Sequence, residues 1–322
     1  MLARCLLKGE ETNGGDMGTI QHNYTYASAL SDALKINWKI EDIIGNGKGL
    51  DFSKPFLPDS LTGINAITSL SAQEKLALNH IRGRTYLYLF GFVEEFILPF
   101  VIDQARQAVH GDSVQVHSLL TFAEEEAKHI DLFRRFSEEF ERGFPTSIEL
   151  IGPAKDLATA VLAHSPLGIV LAILHLEWLT QKHYIESVKD NSGLDPQFAS
   201  LLRHHWQEEA QHAKVDTLLA SELAARLSPE QIQVGIDDYL KIATLLDDGL
   251  TTQARLDVDA LERHIRRTLT AAEREEITSA QVTSYRRTFL VAGAEHPNFV
   301  KTVSELSAEG QKRIAAVATA LN

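Results

Sequence analysis

The pentapeptide Glu-Glu-Ala-x-His stands twice in this chain, at Glu125–His129 and at Glu208–His212, 83 residues apart. Each copy has a further glutamate 32 residues upstream of its second Glu: Glu94 before Glu126, and Glu177 before Glu209. A glutamate and a histidine three residues apart share one face of a helix. Two helices giving one Glu each and two giving Glu-x-x-His are what a four-helix bundle needs to hold two transition-metal ions in its core.

A Glu-x-x-His spacing alone carries little weight, because chance produces it in a chain this long. The matched flanks, the equal intervals and the apolar surroundings carry more. Leu87, Phe90, Gly91, Ile97 and Val101 share a helical face with Glu94, and Val170, Leu174, Gln181 and Tyr184 share one with Glu177. An unpaired buried carboxylate is costly, and a metal ion meets that need. The competing reading leaves the glutamates on solvated faces, with His129 and His212 as ordinary histidines.

His205 precedes Glu209 by four and His212 follows it by three. At about 100° per residue, all three fall within an arc of about 60°. The matching position in the first half is Phe122, which cannot ligate. The expected site is therefore asymmetric, with Glu94, Glu126 and His129 in one half and Glu177, His205, Glu209 and His212 in the other. Glu125 and Glu208 are expected to accept from the ligating imidazoles and orient them; the alternative for each is helix-surface charge. Glu95 competes with Glu94, and the matching interval favours Glu94. Tyr184 follows Glu177 by seven, about 20° round the helix, and is a candidate proton donor near the metals or else a core tyrosine. Gly91 and Ala123, one turn from Glu94 and Glu126, leave room for substrate or O2, or for close helix packing. His110, His117, His175 and His183 lack the spacing and are expected to be surface or structural residues.

Charge favours two divalent ions, since four carboxylates neutralise them. Mixed carboxylate and imidazole donors suit Fe or Mn, whereas Zn prefers fewer carboxylates or some thiolate.

The elements that must position these groups read as all-α. Residues 1–70 form a partly irregular arm, with Gly45-Asn-Gly47, Pro55 and Pro58 and one helix near residues 26–40. Ser71-Ala-Gln-Glu74 is a capping box that opens a helix to about residue 108. A second helix spans residues 114–140 and ends at Gly143 and Pro145. A third region, 153–189, is interrupted at Ser165-Pro166, and Asp195-Pro196 starts a fourth, running to about Leu227. Residues 71–227 are thus expected to form the four-helix di-metal bundle. Residues 228–322 follow as accessory helices packed on it, opening at Ser228-Pro-Glu-Gln231 and Thr270-Ala-Ala-Glu273 and ending with residues 308–321.

A net charge of −13 argues against a nucleic-acid surface. Cys5 is the only cysteine, which excludes an intrachain disulfide and favours a reducing, cytoplasmic setting. The apolar run Leu167–Leu174 is too short for a membrane span, so no membrane partner is expected. The start, MLARCLLKGEE, lacks the apolar segment of a signal peptide, and Met17 is an alternative start.

At these residues the chain resembles the ferritin-like di-iron carboxylate proteins, and within them the p-aminobenzoate N-oxygenase group. That group has two segments in which a Glu precedes an Asp-Glu-x-Arg-His run, with one more histidine ligand a helical turn before the second run's Glu. Glu94, Glu126, His129, Glu177, His205, Glu209 and His212 match the ligand positions one by one, within residues 80–220. The chain departs at Glu125 and Glu208, where the group has Asp, and at Lys128 and Gln211, where it has Arg. The resemblance implies a ferritin-like four-helix bundle holding two Fe ions, with Mn or mixed Mn/Fe as variants. It also implies O2 activation, a small organic substrate, an external electron donor or reductase, and a homodimer. The leading expectation is a di-iron oxygenase or oxidase, with an amine nitrogen as one site of oxidation. The alternative is ferroxidase, iron-handling or peroxide-removing chemistry of the manganese-catalase type.

Overall fold

A computed structural model describes residues 24–322; Cys5 and Met17 lie outside the described residues. Among the described residues there is no β-strand, only an isolated bridge between Gly45 and Lys48. The chain begins with three short helices, α1 (Tyr26–Ala33), α2 (Ile40–Ile43) and α3 (Asp59–Thr62). The long helices α4 (Ala72–Ala108) and α5 (Ser113–Gly143) follow, then α6 (Ala154–Leu162), α7 (Pro166–His183) and α8 (Pro196–Ala224). The remainder is α9 (Pro229–Ile265), α10 (Ala271–Arg286), α11 (Ala292–Ala294), α12 (Pro297–Leu306) and α13 (Ala308–Leu321).

Local chemistry explains where the helices start. Ser71 accepts from the Glu74 N–H at 3.3 Å, and Glu74 accepts from the Ser71 N–H at 2.8 Å, closing the capping box of α4. Ser228 with Gln231 and Thr270 with Glu273 do the same for α9 and α10. Asp195 caps α8 by accepting from Phe198 at 2.6 Å, and its other oxygen accepts from the Asp51 N–H at 2.9 Å. One carboxylate thus starts a helix and pins the preceding segment to it.

The short α4–α5 turn forces an antiparallel pair, and this pair makes the most extensive helix contact among the described residues. α7 packs against α8 on one side and α9 on the other. The α7–α9 crossing is close because glycines face it. A Cβ at Gly168 would lie 2.6 Å from the Asp238 Cβ, and one at Gly235 would lie 2.7 Å from Leu167. Asp238 also accepts from the Ser165 N–H at 2.9 Å, fixing the first turn of α7 on α9. A buried network ties α4 to α9 and α10. Arg82 donates to Gln281 at 2.5 Å and lies 3.5 Å above the Tyr285 ring, while Tyr285 and Thr85 donate to Asp257 at 2.5 and 2.9 Å. Apart from the Arg82 Nε, its buried side-chain polar atoms are paired.

Four expectations change here. The helix anticipated over residues 26–40 stops at Ala33, and a separate turn of helix begins at Ile40. The arm is irregular in backbone but belongs to the core: Trp38, Ile43, Phe56, Leu57 and Leu61 are buried. Helix α12, absent from the sequence reading, starts on a His296 side-chain cap rather than the Ser, Thr or Asp cap that a sequence search expects. Finally, α4 is long and apolar enough by composition to cross a membrane, although 67% of the qualifying window is buried inside the protein.

Substituting Gly168→Ala should force α7 away from α9 and cost about 1–3 kcal/mol, the usual cost of overpacking. Urea denaturation measures it, and an unchanged midpoint would show that the crossing is not close-packed.

Candidate metal centre

Helices α4, α5, α7 and α8 carry the seven expected ligand residues into one buried cluster. Glu94 comes from α4, Glu126 and His129 from α5, Glu177 from α7, and His205, Glu209 and His212 from α8. None is more than 2% exposed, so no bulk water solvates their charge. Glu95, the competitor to Glu94, faces solvent.

The two Glu-Glu-Ala-x-His copies exchange partners across the α5–α8 contact. Glu208 of α8 lies 2.9 Å from His129 Nε2, and Glu125 of α5 lies 2.9 Å from His212 Nε2. Each imidazole donates its Nε2 proton outward to a carboxylate, which turns Nδ1 inward with its lone pair free in the neutral ring. His129 Nδ1 is 3.1 Å from Glu209 Oε1. His212 Nδ1 is 2.8 Å from Glu126 Oε1 and 3.0 Å from Glu209 Oε2. His205 Nε2 is 2.6 Å from Glu209 Oε1 and 3.2 Å from Glu94 Oε1.

Several of these approaches are not hydrogen bonds. Glu94 Oε2, both oxygens of Glu126, His129 Nδ1, Glu177 Oε2 and Glu209 Oε1 are buried with no hydrogen-bond partner. Glu209 Oε1 and His129 Nδ1 stand 3.1 Å apart and both are orphaned. Both atoms face shared space without a hydrogen bond between them, and buried polar atoms left so are rare. Two overlapping sets, Glu94–His129–His205–Glu209 and Glu126–His129–Glu209–His212, each bring four candidate donor atoms within 4.8 Å of one another. Glu177 lies outside both sets, within hydrogen-bonding reach of Glu209.

Electrostatics show the same deficit of positive charge. Burial disfavours the His129 imidazolium, but Glu208, Glu209 and Glu126 outweigh it and lift its pKa to about 9. Burial likewise opposes a charged His212, and Glu209, Glu126 and Glu125 raise it well above the ordinary range. Glu177 is pushed well up, by burial first and then by the Glu209 charge. Glu209 is held well below the usual range, because His205 and His212 overcome the cost of burial. With no metal, protons supply the missing positive charge.

The halves differ in three ways. Lys128 donates to Glu208 at 2.5 Å and sits 4.0 Å from the Trp38 ring, while Gln211, at the matching position, bonds the Gln207 carbonyl. His205, grouped by sequence with Glu177, Glu209 and His212, keeps its contact with Glu209 but also reaches Glu94 and lies 4.6 Å from the His129 ring. His205 stands seven residues before His212 on α8, about two turns or ~10 Å along the axis, which carries it away from His212. Phenylalanines close the flanks: Phe90 and Phe133 pack on His205 at 5.3 and 5.0 Å, and Phe122 stacks on His212 at 3.8 Å.

Tyr184 is not brought to the cluster. It opens a π-helical turn, Tyr184–Val188, is partly exposed, and stacks on Trp206 at 4.3 Å. Extrapolating an α-helical face seven residues from Glu177 misplaced it. The buried tyrosine near the cluster is Tyr86, whose phenol is pushed up by burial and by the Glu209 charge. Sequence reasoning also missed Trp38, stacked on His129 at 6.2 Å with 7° between the planes, and Asp216, fully buried one turn beyond His212. Only Asp216 carried a spacing signal, seven residues after Glu209. His175 and His183 are buried and structural, accepting or donating to Tyr239, Phe289 and Thr288. An apolar cavity, lined by Phe92, Phe96, Leu157, Leu176 and Leu246, lies under α6 on the faces of α4 and α7 turned away from Glu94 and Glu177.

No protein-family model and no curated protein matches this chain. Among solved structures, an R2-like ligand-binding oxidase variant with an anaerobically reconstituted Mn/Fe cofactor is 14% identical, with 86% of this chain and 98% of that chain covered, at a TM-score of 0.47. Another variant of that name, with an aerobically reconstituted Fe/Fe cofactor, is 15% identical over 87% of this chain and 99% of its own, at 0.44. Likeness at this level transfers no chemistry to the chain.

In the metal-free protein, His129 keeps its proton to about pH 9, against about 6.5 when unfolded. The stability it contributes is complete below about pH 6.5 and is lost as the pH rises through about 9. Glu177, with its raised carboxyl, acts in the same direction. The urea midpoint of the metal-free protein should therefore fall between pH 6.5 and 9; a constant or rising midpoint would contradict this charge balance.

Proposed function

We propose that this chain binds two redox-active metal ions, iron or manganese, and uses them to activate O2 for oxidation of a small organic substrate. The observation that carries the reading is the group of buried, orphaned carboxylate and imidazole atoms that converge between α4, α5, α7 and α8. Glu94, Glu126, His129, Glu177, His205, Glu209 and His212 would hold the ions, with Glu126 and Glu209 central because both inward-facing Nδ1 atoms meet them. Four carboxylates balance two divalent ions, so the loaded site is neutral and suited to burial. Oxygen donors with imidazole favour iron and manganese over zinc.

When bound, the metal pair supplies electrons to O2. The protein's own groups do the rest. Glu208 and Glu125 hold His129 and His212 in the tautomer that leaves Nδ1 free. Lys128 neutralises Glu208 so that its charge does not compete for the ions. Phe90, Phe122 and Phe133 keep water from the imidazoles, which limits unproductive side reactions. An external one-electron donor must return the site to its reduced form. N-oxygenation of an amine is the finer reading, and it rests on the resemblance of the ligand pattern. Ferroxidase or peroxide-removing chemistry would use the same donor set.

Anaerobic titration of the metal-free protein with Fe2+ should saturate at about two ions per chain, the number that four buried carboxylates neutralise. Glu126→Ala combined with Glu209→Ala should abolish paired loading. A folded wild-type protein that refuses Fe2+ would overturn the reading, as would a double variant that still takes up both ions. After an O2 pulse, oxygen recovered in an added arylamine supports the oxygenase, whereas ferric mineral or disproportionated H2O2 supports the alternative.

A further inference from the structure

We propose that Asp216 and the polar pocket at the end of α4, α5 and α8 form the proton-entry route to the buried carboxylate cluster, an inference that rests on the O2-activating reading above. Asp216 lies on α8, seven residues past Glu209 and so about 20° from it round the helix. It is fully buried, and neither carboxylate oxygen has a hydrogen-bond partner. It also lies outside both candidate ligand sets. Burial raises its carboxyl well above the ordinary carboxylate range, with the Glu126 and Glu209 charges adding to the rise and His212 opposing it. The Phe133 ring occupies the matching place in the other half, four residues after His129, so the feature belongs to one half alone.

Beyond Asp216 the path continues to the surface. The pocket is lined by Gln104 and Gln107 of α4, Gln115 of α5, and Glu222 and Arg226 of α8. Gln115 donates to Glu222 at 2.8 Å and to the Tyr26 hydroxyl at 3.1 Å. The Tyr26 phenol, raised by burial and then by Glu222, also feels the Asp216 charge. At ~1.5 Å of rise per residue, Asp216 stands ~6 Å along the axis from His212 and ~9 Å from Glu222. It is the buried acid between the cluster and the pocket, and its groups face Glu126 of α5, His212 and Glu209 of α8, and Tyr26 of α1.

The chemistry balances simply. Reducing O2 to water takes up one proton for each electron, and the electrons come from the external one-electron donor. The Asp216 O–H bond breaks as its proton passes toward the Glu126 side. The carboxylate is then reprotonated from water in the pocket, through Glu222 and the Tyr26 hydroxyl, which Gln115 holds together by donating to both. No other bond to Asp216 changes.

Asp216→Asn preserves shape and removes the acid. It should load Fe2+ as wild type does, while oxidation of the loaded site by O2 slows at least ~10-fold, at the low end of what a positioned acid contributes, and the solvent deuterium isotope effect changes. A metal-free readout separates this proposal from the di-metal reading. Infrared spectra of the metal-free protein should show a carboxylic acid band that shifts in D2O and disappears in Asp216→Asn, and Gln115→Leu should slow its exchange several-fold. If the band and its Gln115 dependence hold but Fe2+ does not bind, the route stands and the di-metal reading falls. No Asp216-dependent band, an exchange rate indifferent to Gln115→Leu, or wild-type oxidation and isotope effect in Asp216→Asn would each overturn the proposal. Should Asp216→Asn fail to fold, the Gln115→Leu exchange measurement decides alone.

Discussion

The fold is organised around buried negative charge. Glu94, Glu126, Glu177 and Glu209 meet in a buried core with three imidazoles and, among the described residues, no lysine or arginine between them. The buried or half-buried cations nearby are committed elsewhere: Arg82 serves Gln281 and Leu61 against the Tyr285 ring, and Lys128 serves Glu208. Charge of this density costs several kcal/mol per ion unless neutralised. Protons on His129, His212 and Glu177 offset it in the metal-free protein, which is why their pKa values all move upward. Metal cations would replace those protons.

Reciprocity sets the geometry. Because α5 supplies the acceptor for a histidine of α8, and α8 the acceptor for a histidine of α5, neither helix can rotate without losing both bonds. That arrangement also explains why the motif needs two adjacent glutamates. Residues one apart on a helix point about 100° apart, so the first Glu reaches across to the partner's imidazole while the second faces the cluster.

Much of this was legible in the sequence. The capping boxes at Ser71, Ser228 and Thr270 set the starts of α4, α9 and α10 within a residue. The repeated motif with its equal intervals brought seven ligand candidates and their two acceptors to one place, because helical periodicity is a property of spacing alone. What escaped depended on three-dimensional context. Trp38 comes from an irregular segment, where no period links it to His129. Tyr184 was lost to a π turn, which helical extrapolation does not foresee. The reach of His205 to Glu94 depends on how far α8 is displaced along α4. Asp216 sat at a visible helical spacing, yet an aspartate says nothing until its burial and lack of a partner are known.

The central claim is that the cluster is built to hold two cations. Anomalous diffraction from crystals of the full chain grown with Mn2+ tests it most directly. The account predicts two neighbouring peaks enclosed by Glu94, Glu126, Glu177 and Glu209, with the inward nitrogens of His129, His205 and His212 turned to them. A cluster that stays free of anomalous density at saturating Mn2+, with protons still balancing its charge, would contradict it.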